Sequence, residues 1–506
     1  MARIVLCAFF FFALRAGVAQ QNPTIKSYAA LIEPEQLKDN LSILASDAME
    51  GRYTGSRGQK MAAAFIANYF EEVGLEPIVN ESYYQSVPFF SIQQENVFVE
   101  AGSARFENFV DLFYSGKGET GSIVSTEIIY IGRGRDEDLA QVNIKDKAAL
   151  ILADNLAASS IQELDVRSIM IKEKGAAYIF VVSGSLPSEF EQTMARAKSR
   201  YARGSISLVN PLEKAGLDGV IYLNSKSVET IFNSPIEKLK SLASTQPLKN
   251  PLKKIQPAAI RFQVSRQVKP FRSENVMGYL PGTDKKEEVV VITSHYDHLG
   301  KKAGMEGDII NNGADDDGSG TVALMQLARA FVSAKQMGSA LRRSVLFVAF
   351  TGEEQGKLGS EYYINNPVLS LANTVVNLNM DMIGRVDEAH KDNKNYIYII
   401  GADKLSSELH EINERMNSIY TQLAFDYTYN REDHPDRFYF RSDHWNFAKN
   451  GVPIIFYFSG SHEDYHKVTD EIGKIDFDLL ATRTRCIFYT AREVANRDER
   501  LKIDKK

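Results

Sequence analysis

The sequence predicts an α/β protein: a mixed, mostly parallel sheet sandwiched by helices, with a smaller α/β module inserted into it. Three observations carry that expectation. From residue 259 onward, short apolar runs ending in polar residues alternate with helical patterns, which is the texture of βαβ units. Between about residues 115 and 258 the texture shifts to short strands divided by Gly, Asp and Lys turns, without a single His. At 506 residues the chain also exceeds what one ordinary core supports, so two or three domains are expected.

The N-terminus reads MARIVLCAFFFFALRAGVAQQN. Arg3 gives a positive start, Ile4 to Leu14 an apolar run of 11 residues, and Gly17 and Ala19 the small residues of a cleavage site. A bilayer span needs roughly 20 apolar residues, so cleavage after Ala19 and export are expected rather than an anchor. Cys7 lies too early, and without small residues before it, to be a lipid-attachment site. The net charge of −6 (59 basic less 65 acidic) becomes −8 once Arg3 and Arg15 are removed. A mild acidic excess without a basic block argues against nucleic acid as a partner. Only Cys486 then remains, which excludes an internal disulfide and a Cys-based zinc site.

The next element is a helix. In KMAAAFIANYFEEVGL, Ala63, Ile66, Ala67 and Phe70 share one face and Gly74 can end the helix. The insertion follows, with strands in TEIIYIGRG, KAALILADN, GAAYIFVVSG and DGVIYLN and a helix in VRSIMIKEKGA. The expected division is 1–19 signal peptide, 20–114 with 259–506 as the main domain, and 115–258 as the inserted one.

In the main domain, EVVVITSHYD reads as a buried strand ending at His295, and GSGTVALMQLARAF as an amphipathic helix. SVLFVAFTGEE is a second strand ending at Glu353 and Glu354, VVNLNMDMIGR a third ending at Asp381, and VPIIFYFSG a fourth shortly before His466. Open α/β sheets bind ligands outside the carboxyl ends of their strands. One His or Asp at a strand end is ordinary; five such residues converging on one edge point to a site. Asp315, Asp316 and Asp317 precede the helix, where Asp315 and Asp317 are expected to cap it or complement its dipole.

SHYDHLG, NNGADDDGSGT, FTGEEQGKLGS, NLNMDMIG, FRSDHWNFAKNGVP and EDYHKVTD, in this order, resemble the M28 family of zinc exopeptidases over roughly residues 29–115 and 259–495. The 115–258 segment, with VNIKDKAALILADN and KEKGAAYIFVVSG, resembles the protease-associated (PA) domain that many members carry as an insertion. The resemblance implies the zinc-exopeptidase fold and two Zn²⁺ ions per chain. His295 and Asp381 would hold one ion, Glu354 and His466 the other. The bridging position falls two residues before Gly318, at Asp316, with Asp315 and Asp317 a one-residue shift away. Asp297 would orient His295 by accepting its second ring N–H.

Charge arithmetic agrees. Two Zn²⁺ bring +4, Asp316, Glu354 and Asp381 bring −3, and a bridging hydroxide closes the sum at zero. Ligand type alone would equally permit cobalt or manganese. Glu353 is then the spare carboxylate: consecutive extended residues point differently, so Glu354 ligates while Glu353 acts as general base toward the metal-bound water. Tyr465 matches a position where related peptidases stabilise the tetrahedral intermediate with a Tyr hydroxyl, against the alternative of a core aromatic. Arg441 matches a substrate-contacting position, against an ion pair with Asp443. His298, His390, His410, His434, His444 and His462 match no ligand position and are expected at the surface or behind the ligands, His444 nearest the site.

The resulting expectation is an exported two-zinc aminopeptidase acting on peptides, with no transmembrane segment in the mature chain. A carboxypeptidase would use the same metals with a basic clamp. A glutaminyl-cyclase-like enzyme would use one zinc, and a non-catalytic PA-bearing protein would have lost ligands. The mature N-terminus should be Gln20, open or cyclised to pyroglutamate, as read by intact mass; retention of Met1–Ala19 would refute the export signal.

Overall fold

The computed structural model describes residues 25–505 except 117, 157–166, 185–186, 203, 211–212, 214–216, 245–250 and 303–305. The expected signal segment, 1–19, lies outside the described residues. The chain divides into two compact units. One comprises Met1–Gln85, Val276–Phe350 and Asn366–Lys506; the other comprises Ser86–Asn275 and Thr351–Asn365.

The sheet of the first unit is organised around four parallel strands: Lys285–His295, Arg343–Phe350, Thr374–Met380 and Ile454–Phe458. The first strand pairs with the second on one side and the third on the other, and the third pairs with the fourth, all parallel. Antiparallel neighbours flank this block: the end of Ala258–Leu280 beside the second strand and Tyr396–Ile400 beside the fourth.

The apolar runs are near-continuous because both faces are covered, as in parallel sheets generally. Alternate residues Val290, Ile292, Val345, Phe347, Leu378 and Tyr457 join one core cluster with the helices Pro34–Leu44, Arg57–Val73, Gly320–Gln336 and Phe477–Asn496. The expected early helix is Arg57–Val73. Ser56 caps it by accepting from Gln59 N, and Gly74 ends it in the left-handed region at φ 92°.

Register places the site. His295 lies opposite Phe350, and Thr293 opposite Asn379, so two residues on His295 and Asp381 come level at neighbouring strand ends. A buried polar ladder runs just beneath. Asn377 donates to Thr293 Oγ1, Thr293 donates to Asn379 Oδ1, and Asn379 donates to Ser442 Oγ.

In the second unit, Val124–Tyr130, Ala148–Ala153, Tyr178–Ser183 and Val220–Leu223 form a parallel run. Strand alternation sends Ile128 and Tyr130 into one core cluster and Ile129 and Ile131 into another. The boundaries differ from 115 and 258. Leu112–Ser115 pairs with Val220–Leu223, and Ala258–Leu280 pairs with Val124–Tyr130, so sheet hydrogen bonds carry residues 86–114 and 259–275 into this unit.

Phe331 is 1% exposed on the Gly320–Gln336 helix and packs on Phe488 at 4.5 Å between ring centroids. Phe331→Ala should cost about 3–5 kcal/mol in urea unfolding. Met337→Ala, at the exposed end of the same helix, should stay within about 0.5 kcal/mol. Equal losses would show that this helix face is not the core face.

Candidate metal centre

Four segments of the first unit supply the five side chains of the site. Each departs from regular structure where it delivers a side chain. His295 is the last residue of its strand and Asp381 the first residue past its own. Asp316 lies in the irregular stretch Ala314–Ser319 before the Gly320–Gln336 helix, where the Asp316–Asp317 peptide is cis. His466 adopts φ 58°, the left-handed region that few non-glycine residues occupy. His298 lies three residues past His295 and is fully buried.

The Asp316 carboxylate stands between imidazoles. Its Oδ1 is 3.4 Å from His295 Nε2, and its Oδ2 is 3.2 Å from His466 Nε2 and 3.8 Å from His298 Nδ1. His295 Nε2 is 3.6 Å from Asp381 Oδ1. His295, Asp316 and Asp381 each offer a ligand atom, all within 4.8 Å of one another. Two donor atoms sharing a tetrahedral ion at zinc-ligand distance lie about 3.3 Å apart. The 3.4 and 3.6 Å separations therefore fit a cation bound by this trio, and mixed imidazole and carboxylate donors suit zinc. Burial alone would raise the Asp316 carboxyl, but His298, His295 and His466 outweigh it and hold it well below the usual range. Burial, then Asp381, push the neighbouring Asp317 carboxyl well up, a repulsion that a cation beside Asp381 would relieve.

Supporting bonds refine the expectation for Asp297 and correct the one for Asp315. Asp297 does not orient His295 through its carboxylate, which stands 3.9 Å from Nδ1 and accepts from Thr54 Oγ1 instead. The partner is the Asp297 backbone carbonyl, 3.0 Å from His295 Nδ1; an N–H there leaves Nε2 its lone pair. Asp317 does cap the helix, accepting from Gly320 N, but Asp315 does not. The helix begins only at Gly320, beyond Asp315's reach, so its Oδ1 accepts from Gly384 N and its Oδ2 lies 3.3 Å from His462 Nε2.

Glu353 and Glu354 lie in a turn of the Thr351–Asn365 segment, half-buried, rather than on extended backbone. The strand stops at Phe350 because Gly352 takes φ 68°, and the Glu353 carbonyl then accepts from Gly356 and Lys357 N. Tyr465 is half-buried, not a core aromatic; it stacks on His466 at 3.9 Å and its hydroxyl accepts from Arg441 Nη2 at 3.1 Å. That bond, with a cation–π contact of Arg441 to Phe438, takes the place of an Arg441–Asp443 ion pair. Among the six remaining histidines, His444 is buried against Phe456 with Nε2 2.9 Å from the Tyr439 carbonyl, while His298 is the one beside Asp316.

Arg52 had no signal in the sequence. Fully buried at φ 50°, it donates to the carbonyls of Tyr296, Leu44, Asn312 and Gly313, gripping the loops on either side of the site. Burial lowers its pKa to about 10, against the pull of Asp470, Asp316, Asp297 and Asp317. Asp470 accepts from the backbone N–H of both Asp315 and Asp316, and burial, then Asp315, push its carboxyl up to about 6.

An α/β sheet core thus brings imidazole and carboxylate donors together at its strand ends, in an arrangement that could hold a cation. Residues 275–491 match the model of peptidase family M28. A probable leucine aminopeptidase of Trichophyton verrucosum is 26% identical over 238 residues, 46% of this chain and 59% of that protein. The chain thus spans about three-fifths of that relative's length. Two solved structures share the fold. An aminopeptidase from Aneurinibacillus sp. strain AM-1 has TM-score 0.56 and 18% identity over 96% of this chain and 98% of its own. A zinc aminopeptidase from Bacillus subtilis has TM-score 0.51 and 19% identity over 94% and 98%. No helix among the described residues is long and apolar enough to cross a membrane.

Arg52→Met keeps the side chain's bulk and strands four buried carbonyls. It should cost on the order of 3–5 kcal/mol in thermal or urea unfolding. Arg52→Lys should recover little, because an ammonium cannot match the guanidinium fork. Wild-type stability in either variant would show that the loops do not depend on this grip.

Proposed function

We propose that this protein is an exported two-zinc aminopeptidase that removes N-terminal residues from peptides. The observation that carries the reading is the Asp316 carboxylate standing between His295 and His466, one oxygen toward each. In this reading His295 and Asp381 would hold one ion and Glu354 and His466 the other, with Asp316 shared between them. The M28 match and the relatives named as aminopeptidases supply the reaction class and favour the aminopeptidase over the carboxypeptidase. The 115–258 segment is read as a PA-like module without metal chemistry of its own.

The bound zinc ions would lower the pKa of a water toward about 7 and polarise the scissile carbonyl. Glu353, the carboxylate left over from ligation, takes the proton of the attacking water and returns it to the departing amine. The Tyr465 O–H donates to the oxyanion that develops on the carbonyl. Arg441 strengthens that donor, because a hydroxyl that accepts from a guanidinium is polarised toward giving its own proton. Its exposed guanidinium would meet the peptide beyond the scissile bond.

Glu353→Gln and Glu354→Gln separate base from ligand. The first should keep near-wild-type zinc and substrate binding and lose on the order of 10²–10⁴ in turnover. The second should lose zinc as well as activity, and added zinc should restore part of both. Equal zinc loss in the two variants would refute the division of labour, and full activity in Glu353→Gln would refute the mechanism.

A further inference from the structure

His298 matches no ligand position of the family, yet it is the third imidazole around the Asp316 carboxylate. We propose that His298 is a metal-ligating side chain of this centre, adding a second nitrogen donor to the ion on the Asp316 Oδ2 side. The inference rests on the two-ion reading above.

Three constraints aim this ring. The His298 backbone N donates to the Arg52 carbonyl at 3.1 Å, fixing the residue against the buried arginine. The ring lies over Gly313, where an added Cβ would come within 2.5 Å of His298 Cδ2, and Gly313 itself sits at φ 55°. Its centroid is 6.1 Å from that of His466 with the planes at 61°, so the two rings approach Asp316 Oδ2 from different sides. The ring is fully buried, and a buried imidazole directed at a carboxylate needs a reason.

A hydrogen bond that merely orients Asp316 is one such reason, but Nδ1 and Oδ2 are 3.8 Å apart, beyond hydrogen-bond range. Two donors sharing one tetrahedral ion lie about 3.3 Å apart, so ligation needs a shift of only a few tenths of an ångström. A neutral imidazole also adds no charge to a cluster whose carboxylates and one hydroxide already balance two divalent ions. With His298 and His466, the Oδ2-side ion would have two nitrogen donors beside Asp316, against the single His295 on the Oδ1 side. The two ions would therefore be unequal, the one with two imidazoles bound more tightly.

The test uses the full chain and His298→Ala and His298→Gln, each loaded with zinc or with Co²⁺. Bound metal is measured against a graded chelator, and the visible spectrum of the cobalt forms is recorded. The wild type should release its ions in two steps. Both variants should lose the tighter step, its affinity falling by more than about 100-fold, beyond the 10–100-fold that loss of a supporting hydrogen bond produces. Their cobalt spectra should shift as a nitrogen donor is lost. Wild-type affinity with an unchanged cobalt spectrum in both variants would overturn the inference while leaving the two-ion reading intact. A wild type that binds one ion would overturn the two-ion reading instead, and His298 would then stand or fall on whether that single ion weakens in the variants. Should His298→Ala fail to fold, His298→Gln alone carries the same two measurements.

Discussion

The site depends first on the carboxylate of Asp317. One oxygen accepts from Gly320 N at the start of a helix and from Met382 N just past the third parallel strand; the other accepts from His295 N at the end of the first. Those backbones carry the residues that meet in the cluster: His295 directly, Asp381 one residue before Met382, and Asp316 one residue before Asp317 itself. A single buried side chain thus sets the spacing of three ligand-type groups. Charge-assisted bonds to backbone N–H are strong in a dry interior, and removing their acceptor leaves three buried donors unsatisfied.

Two further buried charges extend the same principle. Asp470 reaches from the His466 segment to the N–H groups of Asp315 and Asp316, tying the fourth-strand loop to the aspartate loop. Arg52 grips the carbonyls on both sides, at Tyr296 and at Asn312 and Gly313. Anionic fasteners hold N–H groups and a cationic one holds C=O groups, so each loop is fixed through its backbone while its side chains stay directed into the cluster. The strained φ of His466 is sustained in this setting: its carbonyl accepts from Lys302 Nζ, and its ring stacks on Tyr465.

This division between fasteners and cluster explains why so many carboxylates gather in one buried volume. Asp297, Asp315 and Asp317 spend their oxygens on Thr54 Oγ1, on Gly384 N and His462, and on the three N–H groups above. Asp316 faces imidazoles and Asp381 faces His295. Chemically identical side chains a residue apart therefore do different things, set by which neighbour lies within reach.

Much of this was written in local sequence. Near-continuous apolar runs, followed by His or acidic residues, marked the parallel strands, because a strand covered on both faces needs apolar residues at nearly every position. The Ala63, Ile66, Ala67 and Phe70 stripe with Gly74 marked a helix, because its period and its stop are both local. The unit boundaries were not legible, since Leu112–Ser115 joins the second unit only by pairing with a strand more than a hundred residues away. Nor were Arg52, His298, the backbone carbonyl of Asp297 or the Asp315 bond to Gly384. Periodicity and turn chemistry act over a few residues, and they determined which segments become strands and helices and which residue types stand at their ends. What Asp315 and Asp317 each accept from, and which buried charge holds which loop, was decided only by tertiary structure, because hydrogen bonds and Coulomb forces depend on distances that chain order alone does not set.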